Sequence, residues 1–219
     1  NYRTAHIEGG EVSGTVDEIL RHSISKLSHI HFVTNMTAKK RLTQMGEMKK
    51  NIFIIGSPDV DIMKSNKLPK LDEVKKKYGI NFKSYGIALL HPVTTNIKNL
   101  KNETIIFLNT IKKSKKNFVL LYPNNDYGSN LILKEYNKLE NSNIRILPSM
   151  RFEYYIQLLK SSKVIMGNSS SGIMEAPYFG VPTINIGDRQ KNRSILKNIN
   201  HCNFDEKKIL TLINYFFTK

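Results

Sequence analysis

From Tyr85 to Ile186 short apolar runs alternate with helical patterns, and few folds tolerate that rhythm. Tyr85–Leu90, Asn117–Tyr122, Ile144–Leu147, Val164–Met166 and Thr183–Ile186 read as strands. Near-continuous apolar runs of this kind suit strands buried on both faces of a parallel sheet. Between and after them, Ile97–Lys112, Ser129–Leu139, Phe152–Lys160, Ile173–Phe179 and Glu206–Phe217 read as helices. The alternation predicts a Rossmann-like α/β unit. The N-terminal portion predicts the tail of a second α/β unit. Val16, Ile19, Leu20, Ile24 and Leu27 recur at helical spacing, with Thr15 and Glu18 forming a capping box. His31–Thr34 and Asn51–Ile55 read as strands, and Thr37–Met45 as a short helix. A lysine-rich stretch with Pro69 inside it reads as a linker, ending in a short helix at Asp72–Lys77. The expected organisation is therefore 1–63, the trailing part of one α/β domain; 64–83, a linker; and 84–219, a complete second domain.

Composition excludes more than it selects. Of the 219 residues 40% are hydrophobic and 24% charged, so a packed core is available. The net charge of +16 suits nucleic acid, anionic membrane or phosphorylated small molecules. The lysines scatter through helix ends and linkers rather than interleaving with aromatics, which argues against nucleic acid. Cys202 is the one cysteine, so neither an internal disulfide nor a cysteine-based zinc site is possible within this sequence. No apolar run reaches the roughly 18 residues of a membrane helix. His22, His29 and His31 lack the spacing and carboxylate partner of a metal site.

Three stretches carry candidate chemistry. In the first, Val164–Met166 runs into Gly167-Asn168-Ser169-Ser170-Ser171-Gly172 and then a helix. Small residues and helix-end N–H groups at a strand's C-terminal edge suit a phosphate or diphosphate. It matches neither a Walker A loop nor the dinucleotide fingerprint. Ser169 and Ser170 are the candidate ligands; a bare capping role is the competing reading. Glu175 follows and can accept from a ribose diol, and Arg189 sits past a strand end where a guanidinium suits phosphate. In the second, Glu8 precedes two glycines at an expected strand end. Asp17 flanks the helix's apolar stripe, whereas Glu18 is expected to cap and face water. Two carboxylates near one cleft are the material of general acid–base catalysis; pairing of Asp17 with Arg21 is the structural alternative. In the third, His91 ends a strand, held by Pro92, and can transfer protons or bind phosphate as a cation; a structural role is the competing reading for a lone histidine after a strand.

Together, HIEGGEVSGTVDE (6–18), RHSISKLSH (21–29), LLHPVTT (89–95), YPNND (122–126) and GNSSSGIMEAPYFGVPTINIGDRQKNR (167–193) resemble the UDP-N-acetylglucosamine 2-epimerases. The hydrolysing subgroup, which makes N-acetylmannosamine or a related amino sugar for sialic- and legionaminic-acid-like sugars, is the most similar. The resemblance implies two Rossmann-like domains in a glycosyltransferase-B arrangement, the N-terminal one incomplete here. It implies UDP binding by the C-terminal domain: Ser169, Ser170 and Glu175 to diphosphate and ribose, His91, Asn124 and Arg189 to the nucleotide. Glu8 and Asp17 become acid/base residues facing the sugar, with His91 assisting. It further implies a cytoplasmic homo-oligomer, dimer or tetramer, acting on a UDP-sugar with no metal, cofactor, nucleic acid or membrane. Non-hydrolysing members usually carry Asp-Ser-Gly-Gly where this chain has Asn168-Ser169-Ser170-Ser171, and Thr-Glu-Arg-Pro-Glu where it has Gly187-Asp188-Arg189-Gln190; both departures favour the hydrolysing subgroup. The alternatives are the same reaction on UDP-2,4-diacetamido-2,4,6-trideoxyglucose, a glycosyltransferase of the same fold, or a nucleotide-binding fragment without activity.

Overall fold

The computed structural model describes residues 2–12, 16–140, 142–190 and 196–219. Two compact units divide at Lys67/Leu68.

The first unit is a three-stranded parallel sheet, β1 (Ala5–Ile7), β2 (Ile30–Val33) and β3 (Ile52–Ile54), in that order. Helices α1 (Val16–Lys26) and α2 (Met36–Gln44) connect the strands, and α3 (Pro58–Lys64) follows β3. Asn35 caps α2 by accepting the Ala38 N–H at 2.9 Å, which satisfies an orphan donor of the first turn. Ala38 and Leu42 of α2 pack on Val33 and Ile52 to make a small core. The apolar stripe of α1 does not join it. Ile19, Leu20, Ile24 and Leu27 are all exposed, and Ser25 on the opposite side is buried. Periodicity reveals which side of a helix is apolar but not which side a sheet takes. Glu18 is half-buried, 4.0 Å from His22. Thr15 and the Val16 side chain lie outside the described residues.

The second unit opens with α4 (Leu71–Tyr78) inside the expected linker. Its Val74 is fully buried, its Tyr78 ring meets Tyr154 edge-on, and left-handed Gly79 ends it. Six parallel strands follow: β4 (Gly86–Leu89), β5 (Phe118–Leu121), β6 (Ile144–Leu147), β7 (Ile165–Gly167), β8 (Thr183–Ile186) and β9 (Ile199–Cys202). Their order, β6-β5-β4-β7-β8-β9, reverses between β4 and β7. That reversal is the switch point of a doubly wound sheet, where α/β proteins bind ligands. Ala88, Phe118, Leu120, Met166 and Ile184 face the layer formed by α5 (Ile97–Ser114), α6 (Ser129–Tyr136) and α9 (Glu206–Thr218). Helices α7 (Phe152–Lys160) and α8 (Glu175–Tyr178) pack with α4 in the other layer.

The helix expected at Ile173–Phe179 is shorter. A 3₁₀ turn spans Ser170–Gly172, and α8 holds four residues. Pro177 has no N–H to give the Ile173 carbonyl, so a regular helix cannot run through from 173. Strand β9 and helix α3 were not anticipated.

Candidate functional site

At the switch point β7 ends with Gly167 paired to Leu89 of β4. A Cβ on Gly167 would stand 1.7 Å from the Leu89 carbonyl oxygen, and its φ of +127° is one few side chains adopt. Only glycine fits, and the chain then delivers Asn168 directly beside His91. Asn168 is 2% exposed and clamps that residue on both sides. Its Oδ1 accepts the His91 N–H at 2.7 Å, and its Nδ2 donates to the His91 carbonyl at 2.8 Å. Its own carbonyl accepts from Arg189 Nη1 at 3.2 Å and Gln190 Nε2 at 3.1 Å. From the loop after β5, Asn124 donates its N–H to His91 Nδ1 at 3.0 Å, and its side chain is tied to Asp126. Three candidates distant in sequence, His91, Asn124 and Arg189, therefore meet around an asparagine that motif reading had not singled out.

This cluster fixes the protonation of His91. Burial, helped by the Arg189 cation and opposed in part by Asp126 and the Asn124 hydrogen bond, lowers its pKa to about 4. The ring is neutral at physiological pH, and with Nδ1 accepting, its proton sits on Nε2. Of the roles open to His91, the cationic one is therefore disfavoured and a neutral Nε2–H donor remains; the desolvation cost of a buried charge is the reason.

The glycine–serine loop is more occupied than its composition suggests. The N–H groups of Gly172, Ile173 and Met174 go to the carbonyls of Ser169 and Ser170. Ser169 Oγ accepts the Ser171 N–H at 3.3 Å, the capping role weighed against a ligand role. Ser171 is buried with its hydroxyl on Tyr155 Oη, so it supports the loop from beneath. The expected row of open helix-end donors is therefore reduced, because a tight turn consumes them. Ser170 is half-buried at the start of the turn. Glu175 is half-buried at the start of α8 and helps raise the Tyr155 pKa, whose main cause is burial. The segment after Gln190, including Arg193 of the quoted motif, lies outside the described residues. Beside the cluster, a pocket of about 680 Å³ opens between α5 and the C-terminal ends of β7, β8 and β9. Asn96, Glu103, Asn168, Gly187 and Phe204 line it.

In the first unit Glu8 is half-buried at the end of β1 with φ = 62°, one of two described non-glycine residues in the left-handed region. That conformation costs about 1–2 kcal/mol, and specific contacts hold it. The Glu8 N–H donates to Phe32 O at 2.8 Å, and Ser57 Oγ donates to Glu8 Oε1 at 2.8 Å. Beneath the following turn, His6 Nδ1 shares a 3.0 Å hydrogen bond with buried Ser25 of α1. A Cβ on Gly9 would press on that His6 ring at 2.8 Å. Asp17 lies exposed in the first turn of α1. Strained backbone at a carboxylate is a pointer to function. Ser57 and His6 had no motif of their own to reveal them. Among the described residues no three His, Cys, Asp or Glu side chains gather as metal ligands.

The whole sequence, residues 1–219, matches the family model described as UDP-N-acetylglucosamine 2-epimerase. The chain belongs to the UDP-N-acetylglucosamine 2-epimerase family. It is 50% identical over 208 residues to the UDP-N-acetylglucosamine 2-epimerase of Neisseria meningitidis serogroup B, covering 95% of this chain and 55% of that protein. It is 35% identical over 215 residues to the hydrolyzing UDP-N,N'-diacetylbacillosamine 2-epimerase of Legionella pneumophila, covering 96% and 56%. The chain spans about half the length of the curated relatives it matches. Among solved structures, the Methanocaldococcus jannaschii UDP-GlcNAc 2-epimerase in complex with UDP-GlcNAc and UDP superposes with a TM-score of 0.70 at 21% identity, over 99% of this chain and 63% of that one. At that identity the likeness establishes the α/β fold. No helix among the described residues is long and apolar enough to cross a membrane.

Proposed function

We propose that this chain forms the UDP-binding domain, and part of the sugar-facing domain, of a hydrolysing UDP-N-acetylglucosamine 2-epimerase that releases N-acetylmannosamine and UDP for sialic-acid-like sugar synthesis. The observation that carries the proposal is the Asn168 clamp, which seats His91, Asn124 and Arg189 at the β4/β7 switch point. We assign the nucleotide to Asn124, Ser170, Glu175 and Arg189, with Ser169 shaping the loop. Arg189 counters the diphosphate's charge as it departs. His91, neutral with its proton on Nε2, donates a hydrogen bond to the leaving group.

The chemistry we assign begins with a base removing the C2 proton while the C1–O bond to UDP breaks on the opposite face. The electron pair of the C2–H bond forms the C1=C2 double bond of 2-acetamidoglucal. Water then adds at C1 as a proton returns to C2 from the other face. Inversion at C2 requires acid–base groups on both faces, which we assign to Glu8 and Asp17. Every step is a proton transfer or a C–O exchange, so the proposal includes no metal and no nicotinamide. The cytoplasm, where the lone Cys202 thiol stays reduced, is the proposed location.

Turnover of UDP-N-acetylglucosamine by the full-length protein in D₂O tests the proposal. Free N-acetylmannosamine carrying deuterium at C2 is expected. Product without label overturns the mechanism, and UDP-N-acetylmannosamine as the released product overturns the hydrolysing assignment. A second reading, the 2,4-diacetamido sugar as substrate, draws on the relatives of that name at 35% and 37% identity. The relative named for UDP-N-acetylglucosamine, at 50%, favours the first.

A further inference from the structure

The turn Glu8-Gly9-Gly10-Glu11 after β1 is fastened by contacts from β2, α1 and α2. At its near end the ladder to β2 continues one step, with the Glu8 N–H donating to Phe32 O at 2.8 Å. At its far end two consecutive carbonyls are each taken by an arginine from a different helix. Arg41 of α2 donates from Nη1 to the Gly10 carbonyl, and Arg21 of α1 donates from Nη1 to the Glu11 carbonyl at 3.2 Å. The Glu11 side chain is anchored too. Its Oε1 accepts from Thr34 Oγ1 and, at 3.2 Å, from Nδ2 of Asn35, the residue that caps α2. Beneath the turn lie the His6–Ser25 hydrogen bond and the Ala38 carbonyl. A Cβ on Gly9 would stand 2.8 Å from His6 Nδ1, and one on Gly10 2.7 Å from Ala38 O.

These contacts have a job that fold stability alone does not explain. Two glycines in a row are the freest backbone a turn can have. Beside them Glu8 sits at φ = 62°, a strained conformation for a residue with a side chain, and Gly10 at 78°. Strain of this kind persists only where the surroundings over-determine it. The β2 ladder fixes the near end alone, and Ser57 fixes the carboxylate but not the backbone beneath it. Arg41 supplies what is missing. Among the described residues it makes the only hydrogen bond to the backbone of either glycine. A guanidinium keeps its charge at every accessible pH and gives a carbonyl a charge-assisted hydrogen bond. Arg21 acts one residue further on, where Thr34 and Asn35 already hold Glu11.

We propose that Arg41 is a positioning residue of the reaction: by holding the Gly10 carbonyl it pins the glycine pair and keeps the Glu8 carboxylate aimed at C2 of the sugar. The proposal rests on the acid–base role assigned to Glu8 above. Arg21 supports the same turn with a smaller effect.

The test uses the full-length protein with Arg41→Met, which keeps the aliphatic stem and removes the donors. It is expected to lower kcat by about 10²-fold, with UDP affinity unchanged in calorimetry, and Arg41→Lys to recover part of the loss. A double-mutant cycle with Glu8→Gln decides how Arg41 acts. A residue that works through Glu8 has nothing left to position once that carboxylate is gone. Arg41→Met/Glu8→Gln is therefore expected to turn over no more slowly than Glu8→Gln alone. A further loss equal to that in the wild-type background marks a merely structural role and overturns the proposal. Amide hydrogen exchange is read without substrate. Residues 8–11 are expected to exchange roughly tenfold faster or more in Arg41→Met, with the second unit unchanged. Unaltered protection of the turn overturns the proposal whatever the kinetics show. Should Arg41→Met not fold, Arg41→Lys and Arg21→Met pass through the same cycle and the same exchange measurement, with the same outcomes deciding. A wild type that leaves UDP-N-acetylglucosamine unchanged overturns the epimerase reading and the role in turnover with it. Turnover with additive losses overturns the role of Arg41 alone, so the two failures are distinct.

Discussion

The strands of the two units are equally apolar and parallel, yet they differ in what covers them. β4, β5, β7 and β8 are buried at every residue. In β1 only His6 escapes full exposure, and in β3 only Ile52 is buried. The second unit has helices on both faces of its sheet, so each residue, odd or even, meets a helix. The first has helices α1 and α2 on one face and leaves Ile7 and Phe53 on the other. Full burial of both strand faces marks the unit that holds itself together. Half-covered strands and an outward apolar helix mark the one that leaves apolar surface exposed.

The contrast breaks most sharply at Gly167. Gly167→Ala forces a methyl into the Leu89 carbonyl at a positive φ, and it is expected to destabilise the second unit by more than about 4 kcal/mol, read by urea unfolding of this chain. A loss under about 1 kcal/mol would mean that β4 and β7 separate easily. In the full-length enzyme Glu8→Gln is expected to lower kcat by about 10²–10⁴-fold, with UDP affinity unchanged in calorimetry. Equal losses in both would merge the two roles proposed for the two units. Burial itself is compared by Leu120→Ala and Leu20→Ala, at 0% and 56% exposure. In this chain the first is expected to cost about 2–5 kcal/mol and the second under about 0.5 kcal/mol. In the full-length protein Leu20→Ala gains a cost only if α1 is covered there.

The same contrast explains what was readable in the sequence. Strands buried on both faces announce themselves as apolar runs, so β4, β5, β7 and β8 were anticipated, as was the half-buried edge strand β6. β9, at the sheet's other edge, holds two polar residues between its apolar ends in Ile199-Asn200-His201-Cys202, too short a pattern to stand out. Helix α1 was recognised by its period, but its orientation depends on His6 and Ser25 meeting across the sheet, which no local pattern encodes. The glycine–serine loop drew notice through composition. Asn168 did not, because its clamp reaches 77 residues back to His91. The charge state of His91 was hidden for the same reason, since desolvation is a property of the packed neighbourhood rather than of the residue.

That charge state yields the most specific of the expected effects. A histidine held at about 4, against an ordinary 6.5, binds its proton in the unfolded chain before the folded one. Its contribution to stability is therefore complete above about pH 6.5, falls as the pH drops toward 4, and levels off below that. Between pH 7 and 4.5 the loss should reach at most about 2–3 kcal/mol. His91→Asn isolates it, because Oδ1 of the new side chain can accept the Asn124 N–H in place of Nδ1. Urea unfolding at the two pH values should show wild type losing more than the variant by that margin. The matching experiment on the first unit uses His6, whose pKa is lowered by burial and by His31 and Arg21. There the ring is only half-buried, so His6→Asn should change the pH dependence less. A His6 effect equal to that of His91 would show that the face where His6 meets α1 is as closely covered in solution as the second unit's switch point.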